Sequence, residues 1–360
     1  MNRISTFVLL MAMSGLTFAG GANSSHSMSS HKAHSKGVHF YGKIFIGYEE
    51  KSTGAAATSD SLRDNGGNSR IGLKFREPMG SMTLVGGMEY TFDIADGMST
   101  EDATTCDRNN TDAGKNDCQT FELHTGNMGL ETPLGYIGFG TFESPYKTFG
   151  MYDTTMDTAV ALNQHGGFSK GTFGISSTWG GVLSYHAAMG PIEFAYMYGL
   201  SEQTNASVQK RDYSYALKLK DLFLPGLEIG IATSHDNIDS GNSNNGSTND
   251  KVFASYKVMP GLGVFMTNED TEITDTFATN GDGKIQTFGA HYKAGNTMWQ
   301  IAKTEGDSAG ADTEDYDTVA IAAETALSKS SSILFGYARQ GYEDSGSAVR
   351  TWTIGMTHGF

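Results

Sequence analysis

The side chains best suited to chemistry in this sequence are a group of histidines and the two cysteines. His26, His31, His34 and His39 fall within HSMSSHKAHSKGVH, and neutral imidazoles are good ligands for zinc or copper. Their spacing is irregular and the segment also reads as a solvated leader, so they stand as candidates only, and no metal or other cofactor is expected. Cys106 and Cys118 bracket CDRNNTDAGKNDC, a polar stretch between two strand-like segments. With no second cysteine pair and no neighbouring histidine, that spacing suits a disulfide closing a surface loop in an oxidising compartment better than it suits zinc. ATNGDGKIQTFG resembles a calcium loop through Asn280, Asp282 and Gly283. Ala278 and Gly289 stand where that loop needs carboxylates, so the stretch reads as an acidic surface loop. The sequence holds no P-loop or dinucleotide fingerprint. Catalysis is not expected, and function must come from shape and charge.

The charges are placed by strands. VHFYGKIFIGYE puts Val38, Phe40, Ile44 and Ile46 on one face and His39, Tyr41, Lys43 and Phe45 on the other, the period-two pattern of a strand between lipid and water. A lipid-facing charge is costly in a membrane barrel, which assigns Lys43, Arg70 and Lys74 to an inner wall, with His124 a further candidate there. The composition agrees: 46 glycines against 6 prolines, 16 tyrosines and 20 phenylalanines among 360 residues point to many strands and turns. Beyond the N-terminus the sequence has no apolar run of about eighteen residues, the length a spanning helix needs. A β-barrel spans without one, because its signal is hidden in alternation.

The first residues, MNRISTFVLLMAMSGLTFAGGA, read as an export signal over 1–22, cleaved near 19 or 22, followed by a His/Ser-rich segment over 23–37. From 38 to 360 alternating segments recur, about sixteen of them, an even number as a bacterial single-chain barrel requires. Short connections such as EPMG, LPG and KAGN alternate with long polar ones such as HDNIDSGNSNNGSTND. The expectation is a 16-stranded antiparallel transmembrane β-barrel with short periplasmic turns and long extracellular loops. The last stretch, WTIGMTHGF, keeps its alternation from Trp352 to a terminal Phe360. In lipid every backbone amide must pair, so the last strand should close against the first.

GMTHGF resembles the ending shared by Gram-negative general porins, which implies a signal at Trp352 and Phe360 read by the barrel-assembly machinery. VHFYGKIFIGYE is similar to the first porin strand, SRIGLKFREPMGSMTLVGGMEYTFD to the second and third, and TGNMGLETPLGYIGFGTFESPY to the fourth and fifth. The resemblance implies a homotrimeric channel in the outer membrane, among lipid and lipopolysaccharide, passing small hydrophilic solutes and ions. It also implies an inward-folded third loop, about 143–179, whose acids Glu143, Asp153 and Asp157 would face the basic wall of Lys43, Arg70, Lys74 and His124. Thr141 and Ser184 stand where many relatives carry arginine, so the basic ladder is thinned. With a formal net charge of -15, modest cation preference is expected. A surface adhesion barrel and a solute-specific channel are the alternatives, and no nucleic-acid partner is expected.

Overall fold

The structure, a computed structural model, describes residues 36–53, 58–63, 69–92, 94–95, 121–155, 158–162, 178–200, 212–237, 246–273, 283–308, 315–342 and 348–360. The strands are β1 (Gly37–Thr53), β2 (Ser59–Arg63), β3 (Arg70–Met79), β4 (Met82–Thr91), β5 (Glu122–Thr132), β6 (Gly135–Glu143), β7 (Thr178–Met189), β8 (Ile192–Gly199) and β9 (Tyr213–Lys220). They continue as β10 (Leu227–Asn237), β11 (Gly246–Met259), β12 (Leu262–Ile273), β13 (Gly283–Ala294), β14 (Thr297–Ser308), β15 (Tyr316–Ala326), β16 (Ser331–Tyr342) and β17 (Ala348–Gly359). One short helix, α1 (Pro145–Thr148), follows β6.

From β3 onward each strand pairs antiparallel with its sequence neighbour, β1 pairs with both β2 and β3, and β1 also pairs with β17, so the sheet closes on itself. The short β2 lies on the upper part of β1, with Gly47 opposite Arg63, while β3 lies on the lower part, with Lys43 opposite Arg70. Together β2 and β3 form one interrupted stave, and the wall therefore has 16 strand positions. At the interruption Ser69 is fully buried, and its hydroxyl accepts from the Phe45 amide at 3.0 Å and donates to the Phe45 carbonyl at 3.1 Å. A side chain thus satisfies the backbone groups the break would strand.

Alternation sets the two faces. Val38, Phe40, Ile71, Met128, Phe139, Phe288, Phe335 and Met356 are exposed on the outside, where lipid replaces water. Several inner positions of β14–β16 are small or aliphatic: Ala302, Ala320, Ala322, Leu334 and Ala338 are all buried. Residues that short leave space against the wall, and a connecting segment fills it.

Candidate functional site

That segment begins at the end of β6. Ser144 caps α1, its hydroxyl accepting from the Lys147 amide at 3.1 Å, and Pro145 supplies a first helical residue with φ already set. From there the chain runs around the inside of the wall. The Tyr146 amide donates to Ser214 Oγ at 3.1 Å and its phenol donates to Glu269 Oε2 at 2.5 Å. The Lys251 ammonium donates to the Tyr146 carbonyl and lies 4.5 Å over its ring. Gly150, at φ 69°, passes so close to Phe253 that an added Cβ would sit 2.5 Å from the ring, a place for glycine on both counts.

Farther along, the Tyr152 phenol donates to Glu228 Oε1 at 3.0 Å, and His291 Nε2 meets the Tyr152 carbonyl at 2.7 Å. Burial and the Glu228 carboxylate hold that phenol above its ordinary range, so it remains a neutral donor. Asp153, 1% exposed, accepts from the Thr155 amide at 2.8 Å, the Leu162 amide at 2.7 Å and Gln300 Nε2 at 2.8 Å. Val160 and Leu162 then insert among Phe265, Ala302, Ala322, Leu334 and Ala338. A Cβ at Gly336 would lie 2.4 Å from Val160 Cγ2. The described part of the third long connection, up to Leu162, is thus folded inward and docked in succession on the wall from β8 to β16.

The described contacts of that loop leave the arc formed by β17, β1 and β3–β5 on the other side. Four of the residues expected on the basic wall lie there. Lys43 and Arg70 are opposite one another on the inner face. Lys74 lies 4.6 Å over the Tyr41 ring. A β-bulge in β5 turns His124 inward beside Thr125. What sequence reading missed is the group that organises them. Glu89, 2% exposed, accepts from the Tyr41 phenol at 2.9 Å, Arg70 at 3.4 Å and His124 Nδ1 at 2.9 Å. The available signal was an acid at an inward position of the otherwise apolar segment MTLVGGMEYT.

Of the expected loop acids, Glu143 and Asp153 are among the described residues, and each is held by groups close by. Glu143 is buried and paired with Lys147 one helical turn on, at 2.5 Å, with His124 Nε2 at 3.9 Å. Asp153 is spent on backbone amides and Gln300, tying the loop to β14. The physics is the same in both cases: a carboxylate taken from water needs donors, and the nearest were within the loop or under it. Ser184 is on the inner wall, whereas Thr141 shares the outward parity of Ile137 and Phe139, so it does not stand for a lost lumen arginine. Trp352 packs its ring 5.2 Å from Tyr48 on the outer face.

His39 is on β1, opposite Lys74, and among the described residues no group of three or more metal-ligating side chains forms. His26, His31, His34, Cys106, Cys118 and Asp157 lie outside the described residues, as does the expected export signal. So do Asn280 and Asp282.

A closed sixteen-position barrel with its lumen narrowed by an inward loop defines an outer-membrane channel. Residues 6–345 match the family described as Gram-negative porin, and the chain belongs to that family. Among solved structures it is similar to an anion-selective porin from Comamonas acidovorans, at 14% identity and TM-score 0.72, covering 90% of this chain and 99% of the other. It is similar to Salmonella typhi OmpF, solved with daunomycin, at 16% identity and TM-score 0.65, covering 90% of this chain and 97% of the other. A trimer form of OmpT from Vibrio cholerae matches at 15% identity and TM-score 0.63, covering 90% of this chain and 99% of the other. No curated protein sequence matches. The protein is therefore an outer-membrane β-barrel channel of the porin family.

Proposed function

We propose that the protein is a passive, water-filled channel that lets small hydrophilic solutes and ions cross the outer membrane down their own gradients. One observation carries this reading. The described residues from Tyr146 to Leu162 dock on β8–β16, and the opposite arc carries Lys43, Lys74, Arg70, His124 and Glu89 on its inner face. Charged and polar groups at a narrowing filter solutes by width and sign. Narrowing is then set by the loop and the Glu89-centred wall, with Glu143 at the loop root. The net charge of -15 supports a modest overall cation preference.

Assembly as a homotrimer among lipopolysaccharide belongs to the same reading, supported by a trimeric form among the structural neighbours. The test is current through the purified, unboiled protein in a planar bilayer under a potassium chloride gradient. Stepwise openings, in threes, with a cation-side reversal potential are expected. A clear anion-side potential overturns the preference. A folded but silent barrel overturns the channel reading and leaves an adhesion role for the loops.

A further inference from the structure

One histidine of the inner wall is set between two carboxylates. The bulge that turns His124 inward leaves its Nδ1 2.9 Å from Glu89 Oε1 on β4 and its Nε2 3.9 Å from Glu143 Oε1 at the end of β6. Both acids are buried, whereas the imidazole is 16% exposed and so stays in touch with the lumen. A neutral imidazole has one N–H and one acceptor nitrogen, and ionised carboxylates only accept. When Nδ1 donates to Glu89, the Nε2 lone pair is turned toward Glu143, acceptor against acceptor, and that contact stays open. The imidazolium has a donor for each acid and closes it. Protonation of His124 therefore adds a positive charge beside the loop root and joins that root to the wall.

The groups around it are mixed in sign. From β1 come Lys43 and Tyr41, whose phenol donates to Glu89; from β3 come Arg70, 3.4 Å from Glu89, and Lys74, over the Tyr41 ring; and α1 brings Lys147, 2.5 Å from Glu143. Glu122, at the start of β5, is exposed. Arg70 and Lys147 each offset one of the two acids. His124 is then the member of this set whose charge changes near neutral pH, because an imidazole titrates between about pH 5 and about pH 8. Elsewhere on the inner face His186 meets one carboxylate, Glu193 at 3.1 Å, His291 meets the Tyr152 carbonyl, and His39 lies opposite Lys74.

We propose that His124 is a selectivity-determining residue of the narrowing, whose protonation shifts the channel toward anions and ties the root of the inward loop to Glu89. The proposal rests on the passive-channel reading. A solute that carries negative charge, such as a small carboxylate or phosphate, would then pass more readily in acid than in alkali.

The experiment is the reversal potential of the purified, unboiled protein in a planar bilayer, measured from about pH 8 down to about pH 5. The potassium chloride gradient is centred on about 0.1 M, where fields reach about 10 Å. The ratio of potassium to chloride permeability should fall by roughly two- to fourfold across that range, the size of one unit charge acting through water on ions passing several ångströms away. At about 1 M, with a reach of about 3 Å, the change should shrink. His124→Gln should keep the ratio nearly constant, close to the wild-type value at the alkaline end, and the difference between the two channels removes what other histidines contribute. His124→Arg, charged throughout, should hold the wild-type acid value at every pH, and it supplies the reading should the glutamine variant not fold. A wild-type ratio that ignores pH, or a His124→Gln channel that follows the wild type, overturns the role of His124 and leaves the porin reading standing. Absence of any current at every pH overturns both.

Discussion

Phe360 and Gly42 exchange both of their backbone hydrogen bonds, each 3.0 Å long, so the last residue of the chain closes the barrel on its first strand. The Phe360 ring also lies over Gly42, where an added Cβ would stand 2.2 Å from it. The end of the chain is held by lipid's refusal to hydrate it: each backbone group left unmet in hydrocarbon costs several kcal/mol.

Gly42→Val should therefore displace the aromatic ring and open the seam. The expected outcome is a marked fall in the fraction of heat-modifiable, folded barrel on unboiled gels, while Ile44→Val, on the same outward face, leaves that fraction near wild type. Equal folding of the two variants would show that the ring's seat is unimportant.

Glu89 and Arg70 form a buried pair, and removing one partner of such a pair costs about 3–5 kcal/mol. Glu89→Gln keeps the shape and removes the charge that balances Arg70 and Lys74. Its reversal potential under a salt gradient should move toward anions, and that of Arg70→Gln toward cations. The double variant should return close to the wild-type value. Single variants that move the potential in the same direction would refute the assignment.

Asp153 anchors the inward loop through amides and Gln300, and hydrogen bonds to a charged group contribute about 1.5–3 kcal/mol each. Asp153→Ala should release the loop locally, seen as larger open-channel current noise with the barrel's heat-modifiability retained. Gln300→Ala, which removes one of these bonds, should give a smaller increase.

Gly336 is the seat of Val160, with a Cβ position only 2.4 Å from its methyl. Gly336→Val should push the loop off β16, since over-packing costs about 1–3 kcal/mol where nothing can yield. Single-channel conductance is the readout, and a value different from wild type is expected. Val160→Ala combined with Gly336→Val should restore it in part.

Much of this architecture was legible because strand alternation is a local, repeating property. The faces of β1 and β17, the inward placement of Lys43, Arg70 and Lys74, and sixteen wall positions all follow from period two and the cost of charge in lipid. The interruption between β2 and β3 was not legible, because Ser69 repairs it through Phe45, 24 residues away.

The candidate site divides along the same line. Sequence determined which residues could reach the lumen; only tertiary structure decided what each met there. Glu89 finds His124 across 35 residues, Tyr146 finds Glu269 across 123, and Asp153 finds Gln300 across 147. Those meetings depend on barrel closure and on where an inward loop comes to rest, neither of which is periodic. A carboxylate such as Asp153 looked like a pore charge in the chain and became an anchor in the fold, because in the dry space beneath the loop its donors were closer than water.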